Sequence, residues 1–224
     1  MSGIGILLLL IITAALPVII VFIWFRAKKL PFTLPLFLAF LAAGIVSILA
    51  AALVQKLFPP LITGGFWAVF FGIFIRVALV EETSRLVGFL PILSITRRRR
   101  NLDKHFYAAL GLVSGLGFAM MESAFYGLRE SDFGIIILRA VSAAPLHGAC
   151  GIRVCIALYF VRKHPVTALF LFISAILIHG AYNLMIVTPA LPSWLAIPIA
   201  FAALFASFHL FAKSSGKGSE VQST

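Results

Sequence analysis

Residues 34–54 read LPLFLAFLAAGIVSILAAALV, 21 consecutive positions without a formal charge, closed by Lys56 and the breaker Pro59-Pro60. At about 1.5 Å of rise per residue a helix of that length spans roughly 30 Å, the thickness of a bilayer's hydrocarbon core. Similar runs lie on either side: 3–25, 61–96, 106–128, 134–160, 166–188 and 192–212. Pro165 and the pair Pro189 and Pro192 mark two of the joints. The whole chain of 224 residues is 62% hydrophobic and 11% charged, where water-soluble domains run nearer half apolar and about a quarter charged. Two cysteines are too few for a disulfide scaffold. The expected fold is therefore all-α, a polytopic transmembrane helical bundle of about seven spans, with six to eight the permitted range. A single domain covers residues 1–212, and 213–224 form a polar, disordered tail. The first run lacks a basic leader and exceeds a signal peptide's apolar core, so it reads as a retained helix.

The net charge of +11 is mostly an orientation signal. Alternate connections collect Arg26, Lys28 and Lys29; Arg97 to Arg100 with Lys104; Arg162 and Lys163; and Lys213 and Lys217, twelve basic residues in all. The opposite connections hold only Lys56 and Arg129. The positive-inside rule then places the N-terminus outside and the C-terminus in the cytoplasm. Trp67 and Trp194 fall at the outer interface and Trp24 at the inner one. A nucleic-acid partner is not expected. The expected setting is the cytoplasmic membrane of a prokaryote.

Four arginines remain inside the apolar runs, Arg76, Arg85, Arg139 and Arg153, together with Glu81, Glu82 and Glu122. Unpaired at helix centres, these charges would cost roughly 20 kcal/mol. Arg139 stands near the outer end of its run, in reach of Glu130 or Asp132, and Arg153 lies close enough to the inner end to snorkel. Arg76 projects opposite Arg85 on a regular helix, and its role stays open. Counting from the run ends, Glu81 and Glu82 fall near mid-membrane, Glu122 slightly beyond its centre and His147 at its centre. His179 and Asn183, one turn apart, lie in the outer half of their helix. Carboxylates, imidazoles and an amide on four helices thus converge in depth. Each has a structural explanation taken alone: Glu81 with Arg85 as an i,i+4 ion pair, Glu122 with an arginine of another helix, the histidines as interhelical hydrogen-bond partners. Cys150 and Cys155 point about 140° apart and read as packing residues. His147-Gly148-Ala149 and His179-Gly180-Ala181 repeat a triplet whose small residues permit close helix approach.

Such a set can activate water in two ways. A glutamate can act as general base while His and Asn stabilise an oxyanion. Alternatively His147, His179 and a glutamate, Glu122 being the expected one, hold Zn2+ while a second glutamate takes the water proton. Neither HExxH nor GxSxG occurs in the chain.

Glu81-Glu82-Thr83-Ser84-Arg85 forms an EExxR motif, Phe118-Ala119-Met120-Met121-Glu122 an FAxxE motif, and His147 and His179-Gly180-Ala181-Tyr182-Asn183 follow in order. This set, within residues 65–190, resembles the CAAX-protease-like superfamily of intramembrane proteases, and more closely its PrsW and YhfC branches. Proteases of the CAAX type usually carry EExxxR and FxxxH, and PrsW proteins EExxK; Arg85 and Glu122 point instead to the YhfC type, described as intramembrane metalloproteases. The resemblance implies an endopeptidase that cuts membrane-protein or lipid-anchored peptide substrates in the bilayer. Glu81 or Glu82 would activate water, Arg85 would orient the pair, and His179 and Asn183 would polarise the scissile carbonyl. Buried Glu, Arg and His also line proton-coupled transporters and channels, and a catalytically silent scaffold of the same fold is the third alternative.

Overall fold

The computed structural model describes residues 3–30, 32–57, 65–99, 102–130, 133–188 and 192–212. Every regular element among them is helical: α1 (Gly3–Ala27), α2 (Leu34–Lys56), α3 (Phe66–Phe71), a π-helical segment (Gly72–Leu79), α4 (Val80–Arg99), α5 (Lys104–Glu130), α6 (Phe133–Phe160), α7 (Pro165–Val187), a short 3-10 turn (Ser193–Leu195) and α8 (Ala196–Ala212). Because α3, the π-helical segment and α4 follow without a break, residues 66–99 form one continuous rod, and the rods among the described residues number seven. Leu34–Lys56, Lys104–Arg129, Ile137–Phe160 and Pro165–Val187 are long and apolar enough to cross a membrane, and Ile11–Ala27 and Ala196–His209 are shorter apolar helices. The tail 213–224, Pro59-Pro60, Pro189, Asp132 and the side chains of Arg98 to Arg100 and Glu130 lie outside the described residues.

Local chemistry sets the helix ends. Prolines stand in the first turns of α2 and α7, where a missing N–H costs nothing. At the end of α1, Lys29 adopts φ 51, Leu30 N–H reaches Phe25 O at 3.1 Å, and Lys29 N–H reaches Arg26 O at 3.1 Å. This paired closure satisfies the last carbonyls and turns the chain at the basic cluster.

Two helices form the centre. Of the apolar window of α6, 89% is buried, against 28% for α7. The tightest approach is between α5 and α6, where a Cβ on Gly111 would run into the carbonyl of Gly151, and one on Gly151 into that of Gly111. One turn on, a Cβ on Gly115 would strike the carbonyl of His147. Gly44 of α2 and Gly117 of α5 meet backbone of the facing helix in the same way. Apolar burial cannot drive association where the solvent is lipid, so helices gain by backbone proximity, which small residues permit. At one end of the bundle, Phe22, Phe25, Phe32, Phe37 and Phe106 join α1, α2 and α5, with Phe32 stacked on Phe106 at 4.6 Å.

Arg153 does not snorkel. It is buried, its Nε donating to Ser207 Oγ at 3.0 Å and its Nη1 to Ser174 Oγ at 2.8 Å. Two hydroxyls inside the bundle replace the water it would otherwise seek, and α6 is thereby tied to α7 and α8. Cys150 and Cys155 are free and buried.

The Gly111–Gly151 contact has a direct test. Gly151→Leu is expected to cost at least about 2 kcal/mol, because a backbone carbonyl cannot move aside. Ala202→Leu, on the exposed face of α8, should leave stability unchanged. Thermal unfolding of both in one detergent checks this, and equal midpoints would rule out the close approach.

Candidate active site

The π-helical segment Gly72–Leu79 leads straight into the first turn of α4, which carries Glu81 and Glu82. Its i→i+5 bonding admits extra backbone per turn, a feature frequent at functional sites. Adjacent residues on a helix point about 100° apart, so the two carboxylates meet different neighbours. Glu81 reaches α2, accepting from Gln55 Nε2 at 3.1 Å. Glu82 lies deeper: its Oε2 pairs with Arg85 Nη1 one turn on, and its Oε1 lies 2.8 Å from His179 Nδ1 on α7. Glu82, Arg85 and His179 are fully buried. Gly180 lets α7 close on the ring of Phe74, which a Cβ there would overlap.

The other half of the site belongs to α5 and α6. Arg85 Nη2 lies 3.0 Å from His147 Nδ1, and His147 Nε2 lies 2.7 Å from Glu122 Oε2. A guanidinium only donates, so His147 Nδ1 accepts and the ring proton sits on Nε2, directed at Glu122. Arg139 Nη2 meets the same Glu122 oxygen at 2.6 Å. Phe118 places its ring 4.4 Å from the Arg85 guanidinium, and Tyr126 covers Arg139 at 4.1 Å. Both stacks suit a planar, weakly hydrated cation.

A continuous chain results: Arg139, Glu122, His147, Arg85, Glu82, His179, Glu81, Gln55. It has one gap. Glu81 Oε2 and His179 Nε2 stand 3.5 Å apart, and both are buried without a hydrogen bond. With Nδ1–H given to Glu82, Nε2 of His179 presents a lone pair towards Glu81. One ligand atom each from Glu82, His147 and His179 also lies within 4.8 Å of the others.

Most residues named from the sequence converge here: Glu81, Glu82, Arg85, Glu122, His147 and His179. Three details differ from expectation. Arg85 pairs with Glu82 at i,i+3, where the i,i+4 spacing had suggested Glu81. Arg139 turns inward to Glu122, whereas the expected partners, the Glu130 side chain and Asp132, lie outside the described residues. The converging His/His/Glu set contains Glu82, while Glu122 sits one bond out behind His147. Asn183 is half-buried and takes no part in the chain of hydrogen bonds. Arg76, without a role from the sequence, donates from Nη2 to Gln55 O at 2.9 Å. Gln55 itself went unread, because next to Lys56 it looks like a helix end. Its one signal is that amide side chains are scarce in the chain, the others being Asn101, Asn183 and Gln222.

A family model described as PrsW-protease, PrsW family intramembrane metalloprotease, matches residues 31–211, which include every residue of the site. No curated protein and no solved structure matches the chain.

Arg85 neutralises Glu82 without help from water. Arg85→Met is therefore expected to cost about 3–5 kcal/mol by stranding a buried carboxylate. Glu82→Gln/Arg85→Met should recover most of that loss in thermal unfolding. A double variant no more stable than Arg85→Met alone would show the pair to be uncoupled.

Proposed function

The chain belongs to the PrsW family of intramembrane metalloproteases, and on that footing we propose that it hydrolyses membrane-embedded peptide bonds at the gap between Glu81 and His179. The observation that carries this reading is the pair of orphaned atoms, Glu81 Oε2 and His179 Nε2, facing each other inside the bundle. Buried polar atoms are almost always satisfied, and a reacting water is the partner a hydrolase requires there. Glu81 is then the general base. Glu82 is not available for that role, since both its oxygens are engaged, one by Arg85 and one by His179.

The donor set fits a divalent metal. Two imidazoles with a carboxylate, buried and within 4.8 Å of one another, are the ligands of catalytic zinc sites, and His179 Nε2 has no hydrogen bond to lose. Glu82, His147 and His179 would hold the ion, Glu82 exchanging one of its present partners for it. When bound, it supplies Lewis-acid polarisation of the scissile carbonyl and of water. His147 would ligate through Nδ1 in exchange for Arg85, keeping Glu122 on Nε2 as the outer carboxylate that orients the ring. Arg139 holds Glu122 in that position. Gln55 holds the other oxygen of Glu81, leaving Oε2 directed at the gap.

Finer assignments rest on the motifs. EExxR at Glu81–Arg85 and Glu122 after Phe118 support a YhfC-type member of the CAAX-protease-like superfamily. The basic connections support a cytoplasmic C-terminus in a prokaryotic cytoplasmic membrane. The substrate is a membrane-protein segment or a lipid-anchored peptide. Asn183, one turn beyond His179, is available to a substrate carbonyl because no residue of the network claims it.

Two measurements test this reading. Glu81→Gln is expected to lower cleavage of a membrane-segment substrate about 10²–10⁴-fold, the usual contribution of a general base, with binding little changed. Full activity in both Glu81→Gln and Glu82→Gln would end the proteolytic assignment. Metal analysis of the purified chain should find one zinc, absent from His147→Ala/His179→Ala. Glu122→Gln should weaken metal affinity only about 10–100-fold, as expected for an outer-shell carboxylate. Complete loss in Glu122→Gln would make it a ligand instead.

A further inference from the structure

At the end of α4 away from the catalytic glutamates, the last turns of α4 and α6 and the first turn of α5 enclose a second, polar pocket of about 280 Å³. Arg97, Tyr107, Leu158, Tyr159, Arg162 and Lys163 line it. Arg97 is fixed in place: Nε donates to the Tyr107 hydroxyl, Nη2 donates to Leu158 O at 3.2 Å, and its guanidinium lies 5.1 Å from the Tyr107 ring. Tyr107 and Tyr159 meet edge to face at 5.3 Å and stiffen the wall. Arg162 and Lys163 are exposed.

Among the described residues, one acid adjoins this corner against the three cations Arg97, Arg162 and Lys163. Asp103, the acid on the adjoining turn, is committed to its own helix start, where Oδ1 accepts from Phe106 N–H at 2.8 Å. Helix C-termini normally present negative carbonyls, and two of those at the end of α6 are already taken. Leu158 O accepts from Arg97, and Phe160 O accepts from Lys163 N–H at 3.0 Å and His164 N–H at 2.7 Å. The aromatic walls lower the local dielectric, which strengthens attraction for an anion.

We propose that this pocket binds a phosphate-bearing anion, the headgroup of an anionic phospholipid in the leaflet that the basic helix ends face. An arginine fork matches phosphate geometry, and lysine adds a point charge beside it. Basic pockets between helices at this level of a membrane receive lipid headgroups, and the ligand's acyl chains continue along the apolar sides of the same helices. The pocket ties together α4, α5 and α6, the helices that also carry Glu81, Glu122 and His147.

Native mass spectrometry of the full chain, released from nanodiscs of phosphatidylcholine with a minor fraction of phosphatidylglycerol, tests this. The wild type is expected to retain phosphatidylglycerol in preference to phosphatidylcholine. Arg162→Gln/Lys163→Gln, which leaves the Arg97–Tyr107 anchor intact, should lower that preference roughly tenfold or more. Lys28→Gln/Lys29→Gln removes equal charge at the end of α1, outside the pocket, and should change it less than about twofold. Matching melting curves confirm that both variants fold. Equal losses in the two variants would reduce the effect to diffuse electrostatics and overturn the proposal, as would the absence of any preference. Soluble glycerol phosphate competing as tightly as the lipid would overturn the lipid source.

Discussion

A guanidinium keeps its charge even out of water, so burying one is costly unless it is paired, and Arg85 is fully buried at the meeting point of four helices. It holds Glu82 on its own helix and His147 on α6, with the Phe118 ring of α5 against its face. Through Glu82 it also fixes His179 on α7. Removing two charges from solvent costs several kcal/mol per ion before pairing returns it. The arrangement is therefore stable only when every member is present and placed. That requirement orders the interior: Glu122 needs Arg139, His147 needs both Glu122 and Arg85, and Glu81 needs Gln55.

Such a network demands close and exact helix spacing, which in lipid comes from backbone contact. Gly111, Gly115 and Gly151 let α5 and α6 touch through their main chains, and Glu122 lies two turns from Gly115 on the same helix. Gly180 does the equivalent for α7 against Phe74. The π-helical segment serves a different purpose. By shifting the phase of the third rod just before Glu81, it lets Arg76 reach the Gln55 carbonyl while Glu81 and Glu82 point inward. Within these rigid contacts Glu81 Oε2 and His179 Nε2 face each other without a hydrogen bond; Arg85 Nε, Arg139 Nε and Ser114 Oγ also lack one elsewhere in the interior.

Much of this was legible in the chain. Seven apolar runs gave seven helical rods because a lipid-facing helix must be apolar along its length, and no tertiary context alters that. Charges inside those runs were informative for the same reason: nothing but function or pairing keeps Glu81, Glu82, Glu122 and Arg85 there. What went unread were the partners. Arg139 looked like a residue of the helix end and proved to be the cation of Glu122. Arg153 looked able to reach water and proved to be held by Ser174 and Ser207. Gln55 carries no charge and so stood out little, although it positions one catalytic candidate.

The sequence by itself determined the class of solvent, the helical architecture and the kinds of residue that meet at mid-depth. All of these follow from periodicity, run length and the energetic cost of charge in hydrocarbon. Only the tertiary structure decided which carboxylate is spent on a cation and which retains a free oxygen. Glu81 and Glu82 are neighbours of identical chemistry, and about 100° of helix rotation separates their surroundings. One faces Arg85 and the other faces Gln55 and the open side of His179. That difference is made by side chains from α2, α4 and α7, more than twenty residues apart in the chain for two of the three contacts.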